Sequence, residues 1–380
     1  MSCHDPKDRS RVGLYVHIPF CQTKCHYCSI YSEPIGVHDP ARLCRAIESE
    51  LNQYKDVDLR TAYIGGGSPT ILPAELLVGL VSKIKQTWPT IEEFTIECNP
   101  GQADERVLQA IKAAGVDRIS IGAQSFDQQE LVLLGRRHTV ADIYQAVRVA
   151  RRAGLGNIGL DLIYAIPGSN LDTWYRNLCA AISLGVEHIS TYALTIETGT
   201  AIEAAVAAGK LEPIDEETDC RMYELAIDVL ESSGYQQYEI SNFARPGFAC
   251  RHNLGYWLGG QYIGIGPAAA SYWQGRLTRN LMDVRGYTHA IEAGLPVICE
   301  SEPVSDRQVI WQTAVLNLRM RQGIEIVDFA EKTGHDPLDL FGHVIDRYVR
   351  DGVMAVEEGR IFLTRKGMLI ADYLLYHFVL

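Results

Sequence analysis

Through its first two-thirds the chain repeats one unit: a short run of apolar, β-branched residues, then an amphipathic stretch with helical spacing. Strands are expected at 12–18, 62–64, 94–97, 118–122, 158–164 and 188–194, each apolar enough for a buried parallel strand. Helices are expected between them at 40–54, 74–86, 105–114, 141–152 and 171–184. Gly115, Gly154 and Gly185 stand where three of those helices should stop. Consecutive strand–helix units imply a parallel sheet with right-handed crossovers. Six are too few for a closed eight-stranded barrel, so the expected fold class is α/β, a partial (β/α)6 barrel whose site lies at the C-terminal ends of the strands.

After about Glu203 the rhythm changes. Residues 215–232 read as one long helix. Residues 235–272 are rich in Gly and aromatics, with little helical periodicity. A small C-terminal α+β domain is expected to follow, with a hairpin at 354–363 turning at Glu358-Gly359. The expected units are 1–235 (partial barrel), 236–290 (aromatic segment) and 291–380 (C-terminal domain). Neither internal repeats nor a low-complexity linker interrupts them.

With 47% hydrophobic and 22% charged residues over 380 positions, the chain reads as an ordinary globular protein with material for a large core. A net charge of −12 argues against a nucleic-acid partner held by phosphate contacts. The basic groups at Arg136 and Arg137, and at Arg148, Arg151 and Arg152, are read as solvated helix faces. Residues 1–11 are polar, so no secretory signal or transit peptide is expected, and no run reaches the ~18 apolar residues of a transmembrane segment. A cytoplasmic, reducing location is expected, where ten cysteines point to metal or redox use. Seven of them (Cys3, Cys44, Cys98, Cys179, Cys220, Cys250, Cys299) are scattered and are expected to be small buried hydrophobes.

The other three, Cys21-Gln-Thr-Lys-Cys25-His-Tyr-Cys28, follow the first strand directly. Their thiolates can converge on one inorganic centre. Zinc usually takes four protein ligands in two pairs, and a ferredoxin-type cluster four cysteines at other spacings, so three packed or zinc-binding cysteines are the weaker alternative. Three ligands to a cubane leave one iron open to a small molecule bearing an amine and a carboxylate. Gly65-Gly66-Gly67-Ser68 follows the second strand and lets backbone approach a ligand closely. Glu97, Gln124 and Asp161 fall at or in strands three, four and five, where a polar side chain is costly unless it binds something.

The C-x3-C-x2-C loop resembles the signature of the radical-SAM superfamily. The whole chain resembles one branch, the oxygen-independent coproporphyrinogen III oxidases and the HemW-type heme chaperones. The likeness is carried by Tyr15-Val-His-Ile-Pro-Phe-Cys21, Thr95-Ile-Glu-Cys-Asn-Pro100, Asp161-Leu-Ile-Tyr-Ala-Ile-Pro-Gly168 and Tyr238-Glu-Ile-Ser-Asn-Phe243. It implies a [4Fe–4S] cluster on Cys21, Cys25 and Cys28, with S-adenosylmethionine lined by Tyr15, Tyr27, Gly66, Gly67, Ser68, Glu97, Gln124, Arg136 and Asp161.

Two departures set the chain apart from the oxidases: Ile30 stands where they carry a further cysteine, and about a dozen residues precede the first strand where they have a long extension. Oxidase activity is therefore not expected. His252-Asn-Leu-Gly-Tyr-Trp257 matches the H-N-x-x-Y-W motif of the chaperones. The resemblance makes His252 a heme ligand, with Tyr256 and Trp257 offering flat faces to the porphyrin. It implies a chaperone delivering heme to an unidentified acceptor protein, with a one-electron reductant as a further partner. Two alternatives stay open: a radical enzyme acting on a porphyrin or porphyrinogen, and a structural cluster protein. His335, His343 and His377 show no ligand spacing.

Overall fold

The computed structural model describes residues 12–379; Cys3 and the rest of the 1–11 segment lie outside them. Six strands run parallel in chain order: β1 (Val12–Ile18), β2 (Leu59–Gly66), β3 (Glu93–Cys98), β4 (Arg118–Gln124), β5 (Asn157–Tyr164) and β6 (His188–Ala193). Helices α1 (Pro40–Leu51), α2 (Ala74–Thr87), α3 (Glu105–Ala114), α4 (Gln128–Leu133), α5 (Val140–Arg152) and α6 (Leu171–Ser183) fill the crossovers. All six strands and five of these helices match the sequence expectation to within a few residues; the exception is the short α4. The 40–54 helix is α only to Leu51 and continues as a 3-10 turn over Asn52–Tyr54.

Five of these six helices start where a side chain satisfies the first free amides; α2, preceded by Pro73, has no such cap. Asp39, Asp104, Asp127 and Asn170 accept them at α1, α3, α4 and α6, and Thr139 with Asp142 forms a capping box on α5. Downstream lie α7 (Ala201–Ala207) and α8 (Glu216–Ser232), each capped in the same way by Thr200 and Asp215.

The sheet extends beyond the six-strand unit at both edges. Antiparallel β7 (Asn242–Ala244) pairs with β6. On the other side β8 (Tyr262–Ile265) runs parallel to β1, followed by antiparallel β9 (Ala270–Trp273), β10 (Arg276–Asn280) and β11 (Ile298–Pro303). With the two-residue strand Gln236–Gln237 at its far edge, the sheet has twelve strands and stays open. A three-stranded sheet of Ile324–Glu325, Met354–Glu357 and Arg360–Leu363 belongs to the C-terminal part. Its hairpin turns at Glu358 and Gly359, with φ of 48° and 77°, a two-residue primed turn.

The strands are not apolar on both faces, which corrects the sequence expectation. Leu14, Val16, Ala62, Ile64, Phe94, Ile96, Ile119, Ile121, Ile158, Leu160 and Ile189 are buried in the core shared with the helices. The residues between them face the barrel interior and are mostly polar: Tyr15 and His17, Thr61 and Tyr63, Thr95 and Glu97, Arg118 and Ser120, Asn157 and Asp161, His188 and Ser190. The interior is therefore a polar column rather than a packed plug. The scattered cysteines also depart from expectation: Cys44, Cys98 and Cys250 are buried, Cys179 and Cys220 half-buried, and Cys299 exposed.

Candidate functional site

Two cavities open at opposite ends of the barrel. The upper one, about 640 Å³, lies at the C-terminal ends of the strands and is lined by Cys21, Cys25, Tyr27, Cys28, Gly66, Gly67, Ser68, Glu97, Gln124, Arg136 and Asp161. Eleven of the twelve residues expected there from sequence are brought together. Tyr15 is not: it sits one layer deeper, its hydroxyl 3.0 Å from His17 Nδ1.

The cysteine loop is tied down through His26 by three hydrogen bonds to two segments. The His26 amide donates to Leu134 O at 3.0 Å, its ring bonds Leu133 O at 2.8 Å, and the Ile202 amide donates to His26 O at 3.0 Å. The three thiols are unpaired and half-buried. Burial holds the thiols of Cys21 and Cys28 above the ordinary range. Among the described residues, no three His, Cys, Asp or Glu side chains stand close enough to hold a metal ion, so the thiols share the cavity without having converged. Arg136 reaches in from the loop after α4: Nη1 lies 3.5 Å from Cys25 Sγ, and Nη2 donates to Gly122 O at 2.8 Å and to Asn99. This overturns its reading as part of a solvated basic face; Arg137 beside it is exposed.

Below the thiols lie the carboxylates. Glu97 accepts from Tyr63 Oη at 2.9 Å and from the Gly66 amide at 3.1 Å. Burial, with Asp161 nearby, pushes its carboxyl up to about 7. Asp161 accepts from Ser190 Oγ at 2.8 Å and from Ser120 Oγ at 3.2 Å; burial raises it too. Gly66 has φ +109°, and a Cβ there would stand 2.6 Å from the His17 ring, so only glycine permits the turn. Gln124 adopts φ 65° without being glycine, the kind of strain that collects at functional positions. Tyr63, Ser120, Asn99, Gln102 and Tyr192 also line this cavity and were not named from sequence. For Tyr63, Ser120 and Tyr192 the signal was available: every second residue of these strands is polar.

The lower cavity, about 650 Å³, lies at the N-terminal ends of the strands, the end that barrel topology did not recommend. His252 stands in it, on α9 (Arg251–Trp257), a seven-residue helix inside the stretch read as non-helical. The N-cap residue Cys250 makes no side-chain cap. Glu93 from β3 does that work, accepting the amides of Arg251 and His252, each at 3.0 Å. The imidazole is buried, with Nδ1 2.9 Å from Thr61 Oγ1 and Nε2 3.0 Å from Tyr256 Oη, one helical turn on. Burial and the nearby Arg118 hold its pKa down to about 3, so it is neutral. Gly13 lets it in: a Cβ there would stand 3.2 Å from His252 Cε1. Tyr256 lines the cavity, whereas Trp257 packs under the Arg319 guanidinium, 5.2 Å from its ring centroid, and not against this space.

The radical SAM superfamily model matches residues 15–178, and the HemN C-terminal domain model residues 304–370. The heme chaperone HemW of Bacillus subtilis is 34% identical over 373 residues, 95% of this chain and 97% of its own length. That of Lactococcus lactis is 32% identical over 378 residues, 97% of each. The chain belongs to the HemW family of radical SAM proteins. Its fold is also that of coproporphyrinogen III oxidase (HemN) from Escherichia coli, with a TM-score of 0.84 at 20% identity over 98% of this chain and 91% of that one. Among the described residues, no helix of this HemW-family chain is long and apolar enough to cross a membrane.

Proposed function

We propose that the protein is a heme chaperone: it carries heme on His252 in the lower cavity, holds a [4Fe–4S] cluster and S-adenosylmethionine in the upper one, and passes heme to an acceptor protein in the cytoplasm. The observation that carries this is the setting of His252. A neutral imidazole, held at Nδ1 by Thr61 and bonded at Nε2 to the Tyr256 hydroxyl, lines a cavity of about 650 Å³ walled by Tyr238, Tyr256 and Tyr262. Anchoring one ring nitrogen while the other faces the metal is how proteins orient a ligating histidine. The volume lies within the range of small-molecule sites.

The upper cavity fits its groups by donor chemistry. It supplies three thiols for a cluster, and Arg136 Nε is buried there without a partner among the described residues. Cys21, Cys25 and Cys28 would hold the cluster. Glu97 and the backbone at Gly66 and Gly67 face the space left for an amine- and carboxylate-bearing ligand. When bound, the pair supplies one-electron chemistry, fed by an external reductant. The chain's own part is to orient that ligand with Glu97, Asp161 and Arg136 and to keep the thiols from bulk water.

Titrating heme into the anaerobically reconstituted protein and into His252→Ala, following the Soret band, tests the reading. Saturable binding near one heme per chain, weakened at least tenfold in the variant, is expected. Equal binding by both would remove it. A second reading, a radical enzyme acting on a porphyrin or porphyrinogen, is favoured by the buried acids Glu97 and Asp161, since perturbed acids mark reactive sites. Methionine and decarboxylated porphyrin formed in equal amounts would establish it.

A further inference from the structure

The chain carries a net charge of −12, yet the mouth of the lower cavity runs against that background. Four arginines line it, Arg60, Arg245, Arg251 and Arg321, with one acid, Glu92. Arg60 and Arg251 both pair with Glu92, at 3.4 and 2.8 Å, and Arg60 also with Asp58 at 2.9 Å. Arg245 and Arg321 make no ion pair among the described residues. Arg245 donates through Nε to Val186 O at 3.2 Å and stacks 5.0 Å from the Tyr235 ring centroid, which fixes its plane. Arg321 is exposed, and its backbone amide donates to Tyr238 O at 3.0 Å. Arg245 directly follows β7, which pairs with Gln236–Gln237. Both arginines thus spring from segments bonded to the Gln236–Tyr238 stretch of the cavity wall.

A cavity with a neutral histidine inside, the free guanidinium of Arg321 at its mouth and, beside it, Arg245 held by Val186 O and Tyr235 but unpaired with any acid among the described residues, matches one ligand chemistry: a flat metal macrocycle with carboxylates on one edge. We propose that Arg245 and Arg321 form a carboxylate-binding subsite that receives the two propionates of the porphyrin, so that the protein selects metalloporphyrins with free acid side chains. The proposal rests on the cargo reading above. Guanidinium is the side chain best shaped for this, since it meets a carboxylate through two parallel hydrogen bonds.

The test compares hemin with hemin dimethyl ester, which keeps the ring and the iron and loses both charges. Soret titrations would use the wild type, Arg321→Gln and the Arg245→Gln/Arg321→Gln double variant, with His252→Ala as the blank for non-specific uptake. The wild type should bind hemin roughly 10–50-fold more tightly than the ester, the size set by two partly exposed charge-assisted contacts. Arg321→Gln alone should remove about half of that preference on a logarithmic scale, and the double variant should leave less than about threefold, by the logic of a coupling cycle. Because Arg321 is exposed and its side chain makes no hydrogen bond or ion pair among the described residues, its variant separates ligand effects from folding. Equal affinity of the wild type for both porphyrins, or an undiminished preference in the double variant, would overturn the subsite. Saturable His252-dependent binding of neither porphyrin would instead sink the cargo reading itself.

Discussion

Replacing Glu97 by Gln should stabilise the ligand-free protein at high pH while weakening S-adenosylmethionine binding. Glu97 has its carboxyl raised from the ordinary 4.5 to about 7, by burial first and by Asp161 second. A carboxyl whose folded value is raised holds its proton more tightly in the folded state. Stability is therefore full below pH 4.5 and is lost as pH climbs through 7. The displacement corresponds to about 3 kcal/mol. Glu97 faces an open cavity, and water there screens part of it, leaving about 2 kcal/mol. Gln cannot ionise, yet it is isosteric and can still accept from the Gly66 amide or Tyr63 Oη. The variant should exceed the wild type by under about 1 kcal/mol at pH 5 and by about 2 kcal/mol at pH 8.5, a further rise in Tm of a few degrees for a chain of this length. Thermal unfolding of cluster-free protein at the two pH values reads this directly. A gain of the same size at both pH values, or a loss at pH 8.5, would refute the reasoning.

Tyr256→Phe removes the hydroxyl that occupies His252 Nε2, a hydrogen bond worth about 1 kcal/mol that any metal must displace. Heme should bind roughly fivefold more tightly in a Soret titration, and binding no tighter than wild type would show that Tyr256 does not compete for the nitrogen. Gly66→Ala puts a Cβ against the His17 ring at a φ of +109°, so it should cost about 2 kcal/mol or more in chemical denaturation and loosen S-adenosylmethionine binding together with it.

The barrel was legible because its outer surface obeys local rules. The apolar runs of the strands, the amphipathic stretches between them and the glycines with positive φ at 115, 154 and 185 mark the units. The cysteine loop was legible because its ligand types lie within eight residues, and Glu97, Gln124 and Asp161 because strand ends converge in this architecture. The lower cavity was not. Its wall comes from the starts of β1 and β2, from Tyr238, from α9 and from Arg321 in the C-terminal part, segments whose meeting depends on tertiary packing alone. α9 itself is too short for periodicity to show, and its cap comes from Glu93, which lies 159 positions from His252 in the chain. The charge pattern alone put Arg136 among solvated arginines while the resemblance put it in the upper site, because a charged residue near a helix end looks the same in sequence whether it points outward or into a cavity.

The polar interior carries a structural consequence for both ends. Barrels of this kind usually fill the centre with branched apolar side chains, which stabilise by burial. Here Thr95 Oγ1, Arg118 Nε, Asn157 Oδ1 and His188 Nδ1 are buried in that column without partners among the described residues, each a cost of order 1–3 kcal/mol unless water reaches it. An interior that forgoes apolar packing leaves a polar column between the cavities. One side chain spans it: the Tyr63 hydroxyl donates to Glu97 above, and its ring stacks on His252 below, with centroids 5.2 Å apart. Tyr63 thus touches both Glu97 and His252. In a packed apolar barrel the two ends would be insulated by several layers; here they are one tyrosine apart.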